Sequence, residues 1–331
     1  MKSLLFAATM SLVAAAIADP LTIYSYRQDY LLQPLVDAFT ESSGIEVEVV
    51  YADSGFVERL RGEGRLTPAS LVVASDIGRL LEFSEAGLSQ AVESETLTSR
   101  VPAAFRDPDN EWFALTLRAR IAYASVERVP EGSLTHYEDL ADPAFAGKLC
   151  LRDGQHPYNI ALFADLTQRW GEEAVSAWLT GLRANLARSP SGNDRAQINA
   201  VAAGECDIAI GNTYYYGIML NDPAQRPAAE AVYPVFLDAG EGTHMNVSGI
   251  VMTSQAPDPE AALSFMEFMV SDEAQGLYAS LNSEYPVVEG VALDPLVESW
   301  GSFQPANTPL AQIAENRPRA SDLVDSAELN Y

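Results

Sequence analysis

The 331-residue chain carries 20 basic and 46 acidic residues, a formal net charge of −26, and 48% of its residues are hydrophobic. A surface this acidic repels nucleic acid and anionic lipid, which excludes both as partners. Two cysteines in so long a chain exclude a disulfide-stapled mini-scaffold, so apolar cores must carry the stability, and the length suits two lobes better than one.

The chain opens "MKSLLFAATMSLVAAAIADP", with one cation at Lys2, an apolar stretch from Leu4 to Ala16, and small residues Ala16 and Ala18 flanking Ile17. This order of charge, apolar run and A-x-A site predicts a secretory signal peptide over residues 1–18, with Asp19 starting the mature chain. No cysteine lies near that point to take a lipid anchor. No later stretch approaches the roughly 18–20 uninterrupted apolar residues of a membrane helix, so the mature protein is expected to be soluble.

Strands and helices then take turns. "LTIYSY" reads as a strand, Leu31, Leu35 and Phe39 recur at helical spacing, and "EVEVVYA", "GFVERLRGEG", "SLVVAS" and "IGRLLEFSEAG" continue the alternation. The pattern predicts βαβ units around a mainly parallel sheet. "EWFALTLRARIAYAS" is a longer extended run, long enough to cross from one lobe to the other. After it come "GKLCLRDG" as a strand, "NIALFADLTQRWG" and "EEAVSAWLTGLRANLA" as helices, and "ECDIAIGN" as a strand. "AVYPVFLDAGEGTHMNVSGIVMTS" reads as extended and "DPEAALSFMEFMVSDEAQGLYASL" as two helices. Without a low-complexity linker, the lobes are expected to be joined by continuous strands and to hinge about a cleft. Cys150 and Cys206 stand either as one bridge or as two buried thiols.

Catalytic motifs are missing. There is no G-x-S-x-G elbow, no H-E-x-x-H, no G-x-G-x-x-G and no Walker A loop, and His136, His156 and His244 form no pair at ligand spacing. No carboxylate pair stands out among the 46 acids either, so a secreted hydrolase stays open only as a disfavoured alternative and the protein is expected not to be an enzyme. In α/β sheets ligands bind beyond the carboxyl ends of the strands, and "YSYRQDY", "ASD" at 74–76, "RDGQHPYN" and "NTYYYG" all fall there. A phenolate is a hard oxygen donor, and ionising several phenols of pKa about 10 takes a strong Lewis acid such as ferric ion. Tyr214 and Tyr215 would point to opposite faces of a strand, so they meet one ion only if the chain turns into a helix there. Core packing remains the other reading of these rings.

Taken together, "IYSYRQDYLLQPLVDAF", "GKLCLRDGQHPYN", "AVAAGECDIAIGNTYYYG", "NVSGIVMTSQAPDPEAALSFMEFM" and "NSEYPVV" resemble, in the same order from about Leu21 to Val288, the periplasmic ferric-iron-binding proteins of ABC importers, in their tyrosine-rich branch. The resemblance implies an α/β, bilobal type II periplasmic-binding fold akin to a transferrin lobe. The first lobe is then expected over 19–117 plus 237–331 and the second over 118–236, with the C-terminal helices able to pack on the other lobe. It implies a monomer in the periplasm that captures ferric iron between the lobes and hands it to a permease in the inner membrane.

Residue by residue, Tyr214 and Tyr215 match the family's adjacent iron-binding pair, Tyr158 matches a further tyrosine ligand, and Tyr216 falls where packing is the expected role. Arg27 matches an arginine that faces the iron or its bound anion, and Arg152 is placed to pair with a phenolate or an anion. Gln28 stands where other branches have a histidine ligand, which leaves Tyr30, or a carbonate or water, to complete the sphere. Asp76, where another branch has a glutamate ligand, is expected to cap a helix instead. Arg118 and Arg120 are expected to be structural ion-pair residues, and His156 an exposed loop residue. The alternative is a carrier of a small organic anion or phosphate-like solute on the same fold, with Arg27 and Arg152 as clamps and the tyrosines as walls.

Overall fold

The computed structural model describes residues 19–237 and 239–330, so the expected signal peptide lies outside the described residues. Among the described residues nine strands form: β1 (Leu21–Ser25), β2 (Val47–Tyr51), β3 (Ala69–Ala74), β4 (Trp112–Ser125), β5 (Leu149–Cys150), β6 (Ile208–Asn212), β7 (Val232–Val235), β8 (Met245–Met252) and β9 (Tyr285–Pro286). Their order is β2-β1-β3-β8-β4-β6-β5, with β7 and β9 also paired to β4. β1 lies parallel between β2 and β3, and the helices Asp29–Ser43 and Phe56–Glu63 make the crossovers that parallel pairing requires.

All 14 residues of β4 are buried, and this strand belongs to both halves of the molecule. Its stretch from Trp112 to Ala119 pairs with β8, whereas Arg120–Ala124 pairs with β6 and Ala122–Ser125 with β7. The sheet is therefore mixed rather than mainly parallel. A chain that leaves one half along β4 and returns along β8 runs back the opposite way, so both of β8's pairings, to β3 and to β4, are antiparallel.

Aromatic side chains fill the cores on either side. Phe39 of the first long helix packs against Phe265 and Phe268 of the helix Pro259–Met269, at centroid distances of 5.0 and 5.5 Å. Phe163 meets Trp178 edge-on at 5.7 Å in the other half. Cys150 and Cys206 are bridged, with Cα atoms 5.9 Å apart, which ties the end of β5 to the segment entering its parallel neighbour β6. The C-terminal helices Leu310–Glu315 and Arg317–Ser326 pack on the helix Pro157–Trp170. Gln155 Nε2 donates to Ser321 O at 3.0 Å, and Asn316 Nδ2 to Gln168 Oε1 at 2.8 Å. Among the described residues no helix is long and apolar enough to cross a membrane.

Candidate metal centre

β6 passes straight into the helix Thr213–Asn221, with Asn212 still extended as the residue before it. The junction is pinned to β4. Arg120 is the antiparallel partner of Asn212, Tyr123 Oη donates to Asn212 O, and Ala119 N donates to Thr213 Oγ1 at 3.3 Å. Gly211 lies so close to the Tyr123 ring that a Cβ would stand 2.2 Å from it. Because the chain is helical from Thr213, successive side chains turn by about 100° instead of alternating, and neighbours can share a side. Tyr214 and Tyr215 do so, with ring centroids 4.1 Å apart. Tyr158, in the first turn of its own helix, brings its Oη to 3.4 Å from that of Tyr214. Tyr216 points away, its Oη 3.5 Å from Val232 O and its ring 5.6 Å from Trp300.

These three phenols line one wall of a cavity of about 300 Å³, and Arg27, Gln28 and Tyr30 line the facing wall. Tyr30 is 57% exposed and Gln28 is exposed as well. Among the described residues there is no group of three or more His, Cys, Asp or Glu able to hold a metal ion, so phenol oxygens are the concentrated donors of this cleft. Burial pushes Tyr215 up to about 12, with Tyr158 and Asp194 adding to the shift. Burial also raises Tyr214 well above its ordinary value, with its two tyrosine neighbours reinforcing the effect. Burial therefore favours the neutral form of these two phenols, and a bound cation supplies the charge that ionises them.

Cations and carboxylates around the phenols are closely paired. Arg120 NH1 reaches Asp194 Oδ2 at 2.9 Å and Asn212 Oδ1 at 2.9 Å, which bears out its expected structural role. Arg118 differs, since it donates to Ser75 O and to Ser248 Oγ at 3.1 Å, and its guanidinium lies 5.2 Å from the Tyr158 ring centre. Arg152 does not line this cavity, and its Nε is buried without a hydrogen-bond partner. Its NH1 is held by Asp194 Oδ1 at 2.8 Å, behind Tyr158 and 5.5 Å from its ring centre. Arg27 NH1 is held by Glu284 at 2.9 Å and Ser248 Oγ at 2.8 Å, while its Nε and NH2 are buried without a hydrogen-bond partner.

Asp76 caps the helix Ile77–Glu85, accepting from Gly78 N at 2.8 Å, as its position before an apolar helical run predicts. His156 departs from the exposed-loop expectation. It is half-buried at the start of the Tyr158 helix, where its Nδ1 accepts from Tyr158 N at 3.2 Å. Burial, together with Arg152 and Arg120, drives its pKa down to about 3, which keeps the imidazole neutral.

Two fully buried carboxylates at the site were not visible in the sequence. Asp194 accepts from both Arg120 and Arg152 and from Asn212 N at 2.9 Å, just ahead of the tyrosine helix. Glu284 holds Arg27 and also accepts from Thr116 Oγ1 and from Asn282 Nδ2 at 2.7 Å. Both sit among 46 acids with no local mark beyond a helix start for one and a strand approach for the other, and their partners are remote in sequence.

Two α/β halves that share a long strand and enclose a polar cleft between them define a bilobal periplasmic binding protein of type II architecture. Residues 34–305 match the model of the family described as bacterial extracellular solute-binding protein, and the chain belongs to that family. It is 39% identical to iron uptake protein A1 of Synechocystis over 311 residues, covering 93% of this chain and 86% of that one. Among solved structures it resembles ferric iron-binding protein A of Mannheimia haemolytica in an open conformation, with TM-score 0.91, 42% identity, and coverage of 94% of this chain and 99% of that chain. It also resembles FutA of Trichodesmium in complex with iron and citrate, with TM-score 0.91, 35% identity, and coverage of 94% and 100%.

Proposed function

We propose that this protein captures ferric iron in the cleft between its lobes and delivers it to an ABC permease, as an exported periplasmic monomer that binds rather than catalyses. The observation that carries this reading is the convergence of Tyr158, Tyr214 and Tyr215 from two helix starts onto one cavity, in a chain whose relatives bear ferric names. Tyr158, Tyr214 and Tyr215 are the iron ligands, and Tyr30 adds an oxygen from the facing wall. Arg27, with Nε and NH2 unengaged, holds a small anion such as carbonate against the ion, with Gln28 beside it. Arg152 acts from behind, by fixing Tyr158. The first lobe spans 19–117 and 237–331, its C-terminal helices packed on the second lobe, which spans 118–236, so the phenols take the ion first and the lobe bearing Arg27 closes over it.

Each phenol must lose its proton to bind, so acidification releases the ion. The organic-anion alternative is not favoured, because the relatives bear iron-uptake and ferric-binding names and its second clamp, Arg152, does not line the cavity. The test is a visible spectrum of purified protein titrated with ferric citrate. Capture through phenolates gives a coloured charge-transfer band that saturates at one equivalent and fades on mild acidification. A protein that stays colourless while binding an organic anion would overturn the reading.

A further inference from the structure

Gly217 belongs to the helix that carries Tyr214 and Tyr215. A Cβ at Gly217 would stand 2.5 Å from both Cβ and Oγ of Ser283 and 3.1 Å from the Trp300 ring. The tyrosine helix thus rests directly on the Ser283 side chain, with no space for a methyl group. Ser283 ends the helix Asp272–Asn282 with a left-handed φ of 52°, a conformation glycine adopts without strain and other residues avoid. A side chain is therefore kept where local preference would remove it. On one side of Ser283, Asn282 lines the cavity; on the other, Glu284 grips Arg27 at 2.9 Å. One three-residue turn touches the phenol helix and holds the cleft's arginine.

We propose that the Asn282–Glu284 turn is a positioning element, in which Ser283 seated on Gly217 sets the separation between Arg27 and the Tyr214–Tyr215 pair. The proposal rests on the ferric-capture reading. Relieving a 2.5 Å overlap to ordinary contact near 3.5 Å would move helix and turn apart by about 1 Å. Good N–H···O hydrogen bonds span only about 0.5 Å, from about 2.7 to 3.2 Å, so an Arg27 displaced by that much could no longer hold an anion against an ion fixed by the phenols.

The test follows loss of the visible band to excess EDTA in ferric-loaded wild type, Gly217→Ala, Ser283→Gly, the double variant and Glu284→Gln. Gly217→Ala still forms the band through its phenols but loses iron about tenfold faster, and Ser283→Gly about threefold faster. In the double variant the methyl moves from one side of the contact to the other, and the rate returns to within about twofold of wild type, a coupling expected only of residues in contact. Glu284→Gln, which frees Arg27 without touching Gly217, also loses iron faster and keeps the proposal testable should Gly217→Ala fail to fold. Wild-type rates in Gly217→Ala or Glu284→Gln, or no recovery in the double variant, overturn the positioning role. A wild type that never forms the band overturns the ferric reading and this proposal together.

Discussion

Tyr214 and Tyr216 are two positions apart, and in a helix that is about 200° of rotation, enough to send one ring into the cleft and the other to Trp300. The adjacent pair, about 100° apart, stays together at the cavity wall. Tyr214→Phe and Tyr215→Phe are each expected to abolish or strongly weaken the ferric charge-transfer band, while Tyr216→Phe leaves it near wild type. Equal behaviour of the three variants in a ferric titration would contradict that division. Asp194 supports the same wall indirectly. It is fully buried between two guanidiniums, and they hold its carboxyl below the usual range although burial alone would raise it. Asp194→Ala strands both cations in the interior, and a loss of about 3–5 kcal/mol in urea unfolding is expected.

β4 shows how one element serves both halves. Side chains of a strand alternate, so Thr116, Arg118 and Arg120 project on one face. That face meets Glu284 through Thr116, Ser75 and Tyr158 through Arg118, and Asp194 through Arg120. The T-x-R-x-R spacing is legible in the sequence. The partners are not, because each comes from a different, distant segment. The Cys150–Cys206 bridge closes a loop of 56 residues around the helices that hold Tyr158 and Asp194. Chain-entropy arguments give such a loop about 4 kcal/mol, so replacing both cysteines by alanine is expected to lower the unfolding free energy by about that amount in chemical denaturation.

At the scale of the whole molecule, stability should depend on acid. Burial raises Asp165, Asp194 and Glu284, but His244 and Arg169 lower the first, Arg120 and Arg152 the second, and Arg27 and Arg118 the third, leaving each below its ordinary value. Their contribution is present above the unfolded carboxylate value of about 4 and is lost as pH falls below it, since the unfolded chain then takes protons that the native state refuses. A thermal midpoint lower at about pH 3 than at about pH 6 in the apoprotein is the expected result, and an unchanged midpoint would contradict it.

The alternation of strands and helices, the long crossing strand, the cap at Asp76 and the tyrosine cluster at a strand end are all legible in the amino-acid order. All of these are local, set by periodicity and residue type over a few positions. The mixed sheet, the bridge, the capping role of His156, the commitment of Arg152 to Asp194 and the grip of Glu284 on Arg27 were decided only in the tertiary structure. Each joins residues tens to hundreds of positions apart, whose pairing depends on which segments the two halves bring together and not on any pattern within one segment.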